Sequence, residues 1–340
     1  MGLKVGIVGL PNVGKSTLFN AVSTTARAEA ANFPFCTIDP NVGVAPVQDP
    51  RFDALVKLYH PEKEVRATVD FVDIAGLVRG ASKGEGRGNA FLSHIREVDA
   101  VAYVLRCFED GDITHVSGRI DPIADIETIE TELMLADLDS LEKRYVNTEK
   151  KAKQGDKESK ELAELMHKAL VLLREGKPAR LVERSHEQEA MFRGLGLLSS
   201  KPVLYVCNVE EASADKGNAF SDKVKAFAEK EGNKAVVVSA KIESEIAVLP
   251  PADQKDYLDA VGLHEPGLNR VIREGYALLG LLTYFTVGPK EARAWTITKG
   301  TKAPQAAGVI HTDFEKGFIR AETIAYDDYI ANAGEAGAKT

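Results

Sequence analysis

The residues most suited to chemistry form a glycine-rich segment near the start of the chain. It reads Gly9-Leu10-Pro11-Asn12-Val13-Gly14-Lys15-Ser16 and matches the P-loop pattern Gly-x-x-x-x-Gly-Lys-Ser/Thr at every fixed position. The glycines let successive backbone N–H groups point at one anion, and Lys15 brings a positive charge to the β- and γ-phosphates. Ser16 offers a hydroxyl to a magnesium ion, at the start of a predicted helix that directs its positive end at the phosphates. The segment therefore predicts a site for a nucleoside triphosphate.

Two further segments supply groups that a γ-phosphate site requires. Asp73-Ile74-Ala75-Gly76 ends an apolar run, so its aspartate can reach the metal through water and the Gly76 amide can meet the γ-phosphate. Thr37, which lies between the two motifs, is predicted to contribute a second hydroxyl to the metal. The predicted magnesium ligands are thus Ser16, Thr37 and Asp73, with Lys15 and Gly76 as predicted catalytic groups.

The residue that follows the Asp73–Gly76 motif is unusual. Many P-loop hydrolases place a glutamine there to orient the attacking water, but this chain has Leu77, whose side chain cannot hydrogen-bond water. The orienting group must therefore be another side chain, the backbone, a bound cation or a partner. A potassium ion held with the help of Asn12 is one hypothesis, and slow intrinsic turnover is expected.

The residues predicted to meet the base depart from the guanine pattern. Where Asn-Lys-x-Asp is usual, the chain has Asn208-Val209-Glu210-Glu211, and Ser239-Ala240-Lys241 matches the second base-side motif. The altered pattern removes the main reason to assume GTP, while Asn208 can still hydrogen-bond the edge of adenine. The pattern therefore shifts the predicted substrate from GTP towards ATP, and a GTPase stays open as the alternative.

Composition narrows the class of protein further. The chain has 340 residues and a formal net charge of −8, which argues against indiscriminate coating of nucleic acid. Three cysteines lack the spacing of metal ligands, and Cys107 and Cys207 lie in apolar runs, where buried free thiols are expected. No apolar run approaches the roughly 20 residues needed to span a bilayer. We expect a cytoplasmic protein with neither a membrane nor sequence-specific DNA as partner.

Short apolar, β-branched runs predict a parallel sheet that holds these motifs. They are Val5–Val8, Thr68–Asp73, Val101–Leu105, Val203–Cys207 and Ala235–Ser239. The long gap between the third and fourth runs indicates that the sheet is interrupted and then resumed.

The interruption has the spacing of two amphipathic helices. Ile126, Ile129, Leu133 and Ala136 recur at helical intervals, and so do Leu162, Leu165, Ala169 and Leu172. They predict an antiparallel hairpin whose lysine-rich connection, Lys150 to Lys160, is either a solvated tip or a contact for an anionic partner. From about residue 281 two short runs, Thr283–Thr286 and Ala294–Ile297, predict a small α+β module.

Taken together, these motifs resemble the YchF, or Obg-like ATPase, family. The resemblance rests on the P-loop, Asn32 to Thr37, Asp73 to Leu77 and the Asn-x-x-Glu segment, and further on Gly84 to Asn89, Ala303 to Gly308 and His311 to Phe314. It covers essentially the whole chain.

The resemblance implies a three-part α/β architecture. A Ras-like P-loop NTPase domain would comprise residues 1–125 and 200–280, an inserted antiparallel helical (coiled-coil) hairpin 126–199, and a C-terminal β-grasp TGS domain 281–340. At Thr340 this last domain is expected to stop short of the family's usual end.

The resemblance also implies a function. It implies Mg²⁺-dependent hydrolysis of ATP, weaker use of GTP, and association with the ribosome as a regulatory switch in translation or stress response. An Obg-class GTPase in ribosome assembly and a nucleotide-gated binding module with incidental hydrolysis are the alternatives.

The same resemblance assigns roles to single residues. His115 would assist hydrolysis, Val209 would contact adenine through its backbone, and Phe108 would lie beside the base; a structural histidine and a core phenylalanine are the competing interpretations. The predicted nucleotide contacts are Asn12, Val13, Gly14, Lys15, Ser16, Thr17, Phe108, Asn208, Val209, Glu211 and Ser239.

Overall fold

The chain alternates strands and helices before a long helical insertion and a small carboxyl-terminal part. A computed structural model describes residues 3–29, 41–74, 87–110 and 119–339. The strands are β1 (Lys4–Val8), β2 (Val42–Pro46), β3 (Glu64–Val65), β4 (Thr68–Asp73), β5 (Ala100–Arg106), β6 (Val203–Asn208), β7 (Lys234–Val238), β8 (Leu281–Val287) and β9 (Ala292–Thr298). The helices are α1 (Lys15–Glu29), α2 (Pro50–Tyr59), α3 (Arg87–Arg96), α4 (Pro122–Lys153), α5 (Lys157–Arg174), α6 (Glu189–Arg193), α7 (Ala219–Lys230), α8 (Ala240–Ile246), α9 (Pro251–Ala260), α10 (Gly267–Leu278), α11 (Ala303–Ile310), α12 (Thr312–Lys316), α13 (Tyr326–Ala331) and α14 (Glu335–Ala338).

A six-stranded sheet carries the phosphate-binding segment. Its order is β2-β4-β1-β5-β6-β7, with β2 antiparallel to β4 and every other neighbouring pair parallel. Every residue of β5 and β6 is buried, because helices cover both faces of a parallel sheet. The five strands predicted from apolar runs are confirmed within a residue or two. Strand β2 was not predicted, since Val-Gly-Val-Ala-Pro carries two residues that are disfavoured in strands.

The two predicted amphipathic helices are also confirmed, as α4 and α5. Ile126, Ile129 and Leu133 pack into the core of the main sheet, whereas Leu165 and Ala169 belong to a separate core within the insertion. The helices run through most of the lysine-rich stretch, so the connection between them is only residues 154–156. Gly155 there takes a left-handed φ of 95°.

Buried polar contacts fix the root of this hairpin to the sheet domain. Asp137 accepts from the backbone N–H of Leu198 at 2.7 Å and of Ser199 at 2.8 Å. Arg180 pairs with the buried carboxylate of Glu130 at 3.0 Å, and the Tyr103 hydroxyl on β5 donates to the same carboxylate at 3.1 Å. Paired groups of this kind hold one geometry, because an unpaired buried charge would be costly.

The carboxyl-terminal part shares a sheet with the first part of the chain. Strands β8 and β9 pair antiparallel, and β3 joins β9 in parallel register, with Glu64 opposite Ala292. Phe52 of α2 stacks on Phe285 of β8 with centroids 5.9 Å apart. Helix α11 follows the strand pair, and the Ala306 carbonyl accepts from the Tyr284 hydroxyl at 2.8 Å. A strand pair followed by a helix is the order in which a β-grasp begins.

We find no helix in the described ranges that has both the length and the apolar character to cross a membrane.

Candidate functional site

The Gly9–Ser16 segment lies at the carboxyl end of β1 and leads directly into α1. Asn12 and Gly14 adopt left-handed φ values of 65° and 91°, and the Leu18 N–H donates to the Gly14 carbonyl at 3.0 Å to begin the helix. A Cβ on Gly14 would lie 2.2 Å from Asn208 Nδ2, so both conformation and space require glycine. Gly9 is required for a different reason: a Cβ there would lie 2.8 Å from the Val104 carbonyl oxygen.

Lys15 and Asp73 form an ion pair in the centre of this site. Ile7 of β1 lies opposite Asp73 of β4 in the sheet, so both strands end beside the P-loop. Lys15 Nζ donates to Asp73 Oδ1, and the lysine side chain is about one-tenth exposed. Ser16 and Thr17 are exposed on the first turn of α1, where their hydroxyls can reach an incoming ligand.

The donor set fits a magnesium ion bound together with phosphates. Ser16 supplies a hydroxyl and Asp73 a carboxylate, and Mg²⁺ usually takes one or two protein oxygens while water and phosphate fill its other positions. Within the described ranges no group of three or more His, Cys, Asp or Glu side chains could hold a metal alone. Thr37, Gly76, Leu77 and His115 lie outside the described residues, so their predicted roles stay predictions.

Asn208 connects the P-loop to the segment predicted to meet the base. This buried side chain donates from Nδ2 to the Val13 carbonyl at 2.9 Å and accepts at Oδ1 from the Ala240 N–H at 2.9 Å. An amide has two donor hydrogens and two acceptor lone pairs, so one of each remains for a base edge. The Val209 N–H donates to the Val238 carbonyl at 2.9 Å, so a contact of Val209 with the base would use its carbonyl.

Glu211, at the position of the usual guanine-reading aspartate, forms an ion pair with Lys241. Its carboxylate contacts Lys241 Nζ, and this hydrogen bond lowers the pKa of Glu211 and raises that of Lys241. The two side chains are 47% and 65% exposed, so the pair lies at the rim of the site. Ser239 is buried and directly precedes α8.

Phe108 follows β5 and is half-buried. The guanidinium carbon of Arg106 lies 4.7 Å from the centre of its ring. Arg106 was not predicted as a site residue, although an arginine at the end of the apolar run Val101–Leu105 was a visible signal.

The two described cysteines are free and buried, as predicted. A hydrogen bond to Cys207 and burial both raise the pKa of the Cys107 thiol, which disfavours the reactive thiolate.

The sheet order, the P-loop between β1 and α1, and the acidic residue at the end of β4 define a Ras-like P-loop nucleotide-binding protein with a helical insertion. Comparison with known proteins agrees: residues 4–136 match a family described as "50S ribosome-binding GTPase". Residues 281–340 match YchF-GTPase_C, described as "Protein of unknown function (DUF933)".

Full-length relatives narrow the class to one family. The chain is 56% identical over 339 residues to "Ribosome-binding ATPase YchF" of Haemophilus ducreyi, covering 100% of this chain and 93% of that protein. It is 54% identical over 341 residues to the Bacillus subtilis protein of the same name, with the same coverage. The solved structure of the Schizosaccharomyces pombe YchF GTPase superposes with a TM-score of 0.87 at 38% identity, covering 99% of this chain and 92% of that one. The chain belongs to the YchF family.

Proposed function

We propose that this chain is a Mg²⁺-dependent ATPase that associates with the ribosome and uses GTP less well. The observation that carries the proposal is the intact P-loop, with Lys15 beside Asp73 and with Ser16 exposed on α1. The names of the bacterial relatives, which describe ribosome-binding ATPases, support ATP and the ribosome as ligands. The Schizosaccharomyces pombe relative is titled a GTPase, so the choice of base needs a direct test.

The base-side residues support adenine over guanine. A guanine-reading carboxylate accepts from N1–H and the 2-amino group, but Lys241 already engages the Glu211 carboxylate. Adenine instead offers its N6 amino group as donor and N7 as acceptor. The Val209 carbonyl and the remaining Asn208 Nδ2 hydrogen would complement these two groups.

The chain's own residues would favour hydrolysis by positioning and by electrostatics. Magnesium, when bound, would supply positive charge that neutralises the charge developing on the phosphates. Ser16, Thr37 and Asp73 would hold that ion, and Lys15 would leave Asp73 to contact the β- and γ-phosphates. The Gly76 amide would meet the γ-phosphate.

The attacking water would be positioned by groups other than the side chain of Leu77. His115 would guide it, since an imidazole titrates in a suitable range. A potassium ion near Asn12 would add positive charge beside the transferring phosphoryl group.

The same proposal includes the division of the chain. Residues 1–125 and 200–280 would form the nucleotide domain, 126–199 the helical hairpin and 281–340 the TGS domain. A separate core within the insertion supports the hairpin as a unit, while Ile126, Ile129 and Leu133 at its start pack into the core of the sheet. The pairing of β3 with β9 links the first and last parts, so these two are expected to unfold together. A cytoplasmic location, where ribosomes reside, completes the proposal.

Equilibrium binding tests the base preference. ATP and GTP are titrated against the protein in magnesium, with potassium and then sodium as the monovalent cation, and Lys15→Ala serves as the control that weakens both. We expect tighter binding of ATP, whereas tighter binding of GTP would contradict the proposal.

Co-sedimentation with ribosomes, with ATP or ADP present, tests the proposed partner. Absence of binding with both nucleotides would contradict ribosome association.

A further inference from the structure

Arg106 is a fully buried arginine beside the nucleotide site. It is the last residue of β5, and only 1% of it is exposed to solvent. Burying a guanidinium removes it from water at a considerable cost unless its donors find partners. The identity of those partners therefore indicates what the residue does.

Two hydrogen bonds of Arg106 reach the loop that follows its own strand. Nε donates to the Phe108 carbonyl at 3.3 Å, and Nη2 donates to the Asp110 carbonyl at 3.2 Å. The guanidinium also lies over the Phe108 ring, with its central carbon 4.7 Å from the ring centre. One side chain thus holds both the backbone and the ring of Phe108.

The start of this loop is held by β6 and by the residue that precedes α7. The Cys107 N–H donates to the Asn208 carbonyl at 2.8 Å, and Asn218 Nδ2 donates to the Cys107 carbonyl at 2.6 Å. Arg106 lies opposite Asn208 in the β5–β6 pair. The loop is therefore anchored to the residue whose side chain joins the P-loop to α8.

We propose that Arg106 is a positioning residue for the nucleotide base and acts through Phe108. Its guanidinium covers one face of the ring and fixes the adjoining backbone, which leaves the rest of the ring surface to contact the base. The inference rests on the proposed function and on the predicted place of Phe108 beside the base. A preorganised ring does not need to be ordered when the nucleotide binds, so affinity for the base increases.

Arginine suits this role better than lysine. Its planar group can stack on an aromatic ring while its N–H groups donate in the plane to two carbonyls. A lysine would keep the charge and lose this combined geometry. Arg106→Lys is therefore an informative substitution, because it keeps the buried positive charge and removes only the planar geometry.

The test separates affinity for the base from affinity for the phosphates. Calorimetric titrations measure the Kd of ATP and the Kd of inorganic tripolyphosphate, both in magnesium, for wild type and Arg106→Lys. We expect the Kd of ATP to rise about tenfold and the Kd of tripolyphosphate to change less than about twofold. An unchanged Kd of ATP, or an equal loss for both ligands, would overturn the proposal.

A double-mutant cycle with Phe108→Ala shows whether the effect passes through the ring. In that background we expect Arg106→Lys to cause no further loss of ATP affinity. Independent, multiplicative losses would overturn the proposal, and so would a Phe108→Ala variant with wild-type ATP affinity. Arg180→Lys is the matched control: it alters another largely buried arginine, at the root of the hairpin, and should leave the ratio of the two Kd values unchanged.

Failure of the proposed base preference would be recognised separately. If wild type binds GTP more tightly than ATP, the ATPase proposal fails. The double-mutant cycle is then measured with GTP in place of ATP, again with tripolyphosphate as the reference ligand.

Discussion

Lys15 Nζ donates to Asp73 Oδ1, so the P-loop lysine and the carboxylate predicted to serve magnesium neutralise each other. In the proposed mechanism both groups take a second role once Mg²⁺ and a triphosphate bind, because lysine would contact phosphate and aspartate the metal's water. The ion pair would then keep two binding groups in place until the ligand separates them. Several measurable consequences arise from this and from the neighbouring contacts.

Replacing Asp73 with Asn should raise the magnesium concentration needed for half-maximal ATP hydrolysis. The amide cannot supply the negative charge that attracts the ion, and we expect a loss of about 10- to 100-fold in metal affinity. Hydrolysis rates measured across a magnesium titration check this. Asp70→Asn is the control. Asp70 lies on the same strand, opposite Lys4 of β1, and its substitution should keep the wild-type dependence on magnesium. Identical titrations for Asp73→Asn and wild type would exclude Asp73 from the metal site.

Gly14→Ala should abolish tight nucleotide binding and lower the free energy of unfolding by about 2–3 kcal/mol. The new Cβ would require a φ of 91° and would approach within 2.2 Å of Asn208 Nδ2, which is held on both sides. Urea unfolding and ATP titration measure the two effects.

Gly155→Ala separates backbone strain from steric conflict. Gly155 has a similar φ of 95°, yet a Cβ there meets no atom within 4 Å. We expect it to cost about 1 kcal/mol of stability with no change in ATP affinity. If both alanine variants were equally mild, the close approach to Asn208 would not be the reason for glycine at position 14.

Removing the positive charge of Lys241 should improve binding of GTP relative to ATP. In Lys241→Met the Glu211 carboxylate loses its partner and can accept from the guanine edge, so we expect the affinity ratio to shift toward GTP by about fivefold. Competition titrations with both nucleotides measure this ratio. Lys225→Met, a surface lysine near Asp222, is the control. An unchanged ratio would mean that the ion pair does not limit use of GTP.

Arg180→Met should destabilise the junction between hairpin and sheet by about 3–5 kcal/mol, because Glu130 would be left buried without its cation. Adding Glu130→Gln should recover part of this loss by removing the unpaired charge. By contrast, Arg174→Met breaks an exposed pair with Glu142 and should cost less than about 1 kcal/mol. Chemical unfolding measures all three, and a similar small cost for Arg180→Met would contradict the role given to the buried pair.

Sequence reasoning succeeded where a local pattern determines the structure. The run Thr68–Asp73 forms β4 with the predicted bounds, since its β-branched and aromatic residues favour a strand. The two helices of the insertion could also be predicted, because their apolar residues repeat at helical spacing.

Other features depend on residues that are far apart in the chain. Strand β3 has only two residues and exists because Glu64 pairs with Ala292, which no local pattern indicates. The sequence placed Arg106 at the end of an apolar run but did not indicate its partners, which are defined by the path of the loop after β5. The close approach of the Val104 carbonyl to Gly9 also depends on residues that are distant in the sequence.

The central claim is that this chain hydrolyses ATP in preference to GTP at the Gly9–Ser16 site. Steady-state kcat/KM for the two nucleotides, measured in magnesium and potassium with Lys15→Ala as the inactive reference, tests it most directly. We predict a higher kcat/KM for ATP and loss of both activities in Lys15→Ala. A kcat/KM for GTP equal to or above that for ATP, or full activity in Lys15→Ala, would contradict the claim.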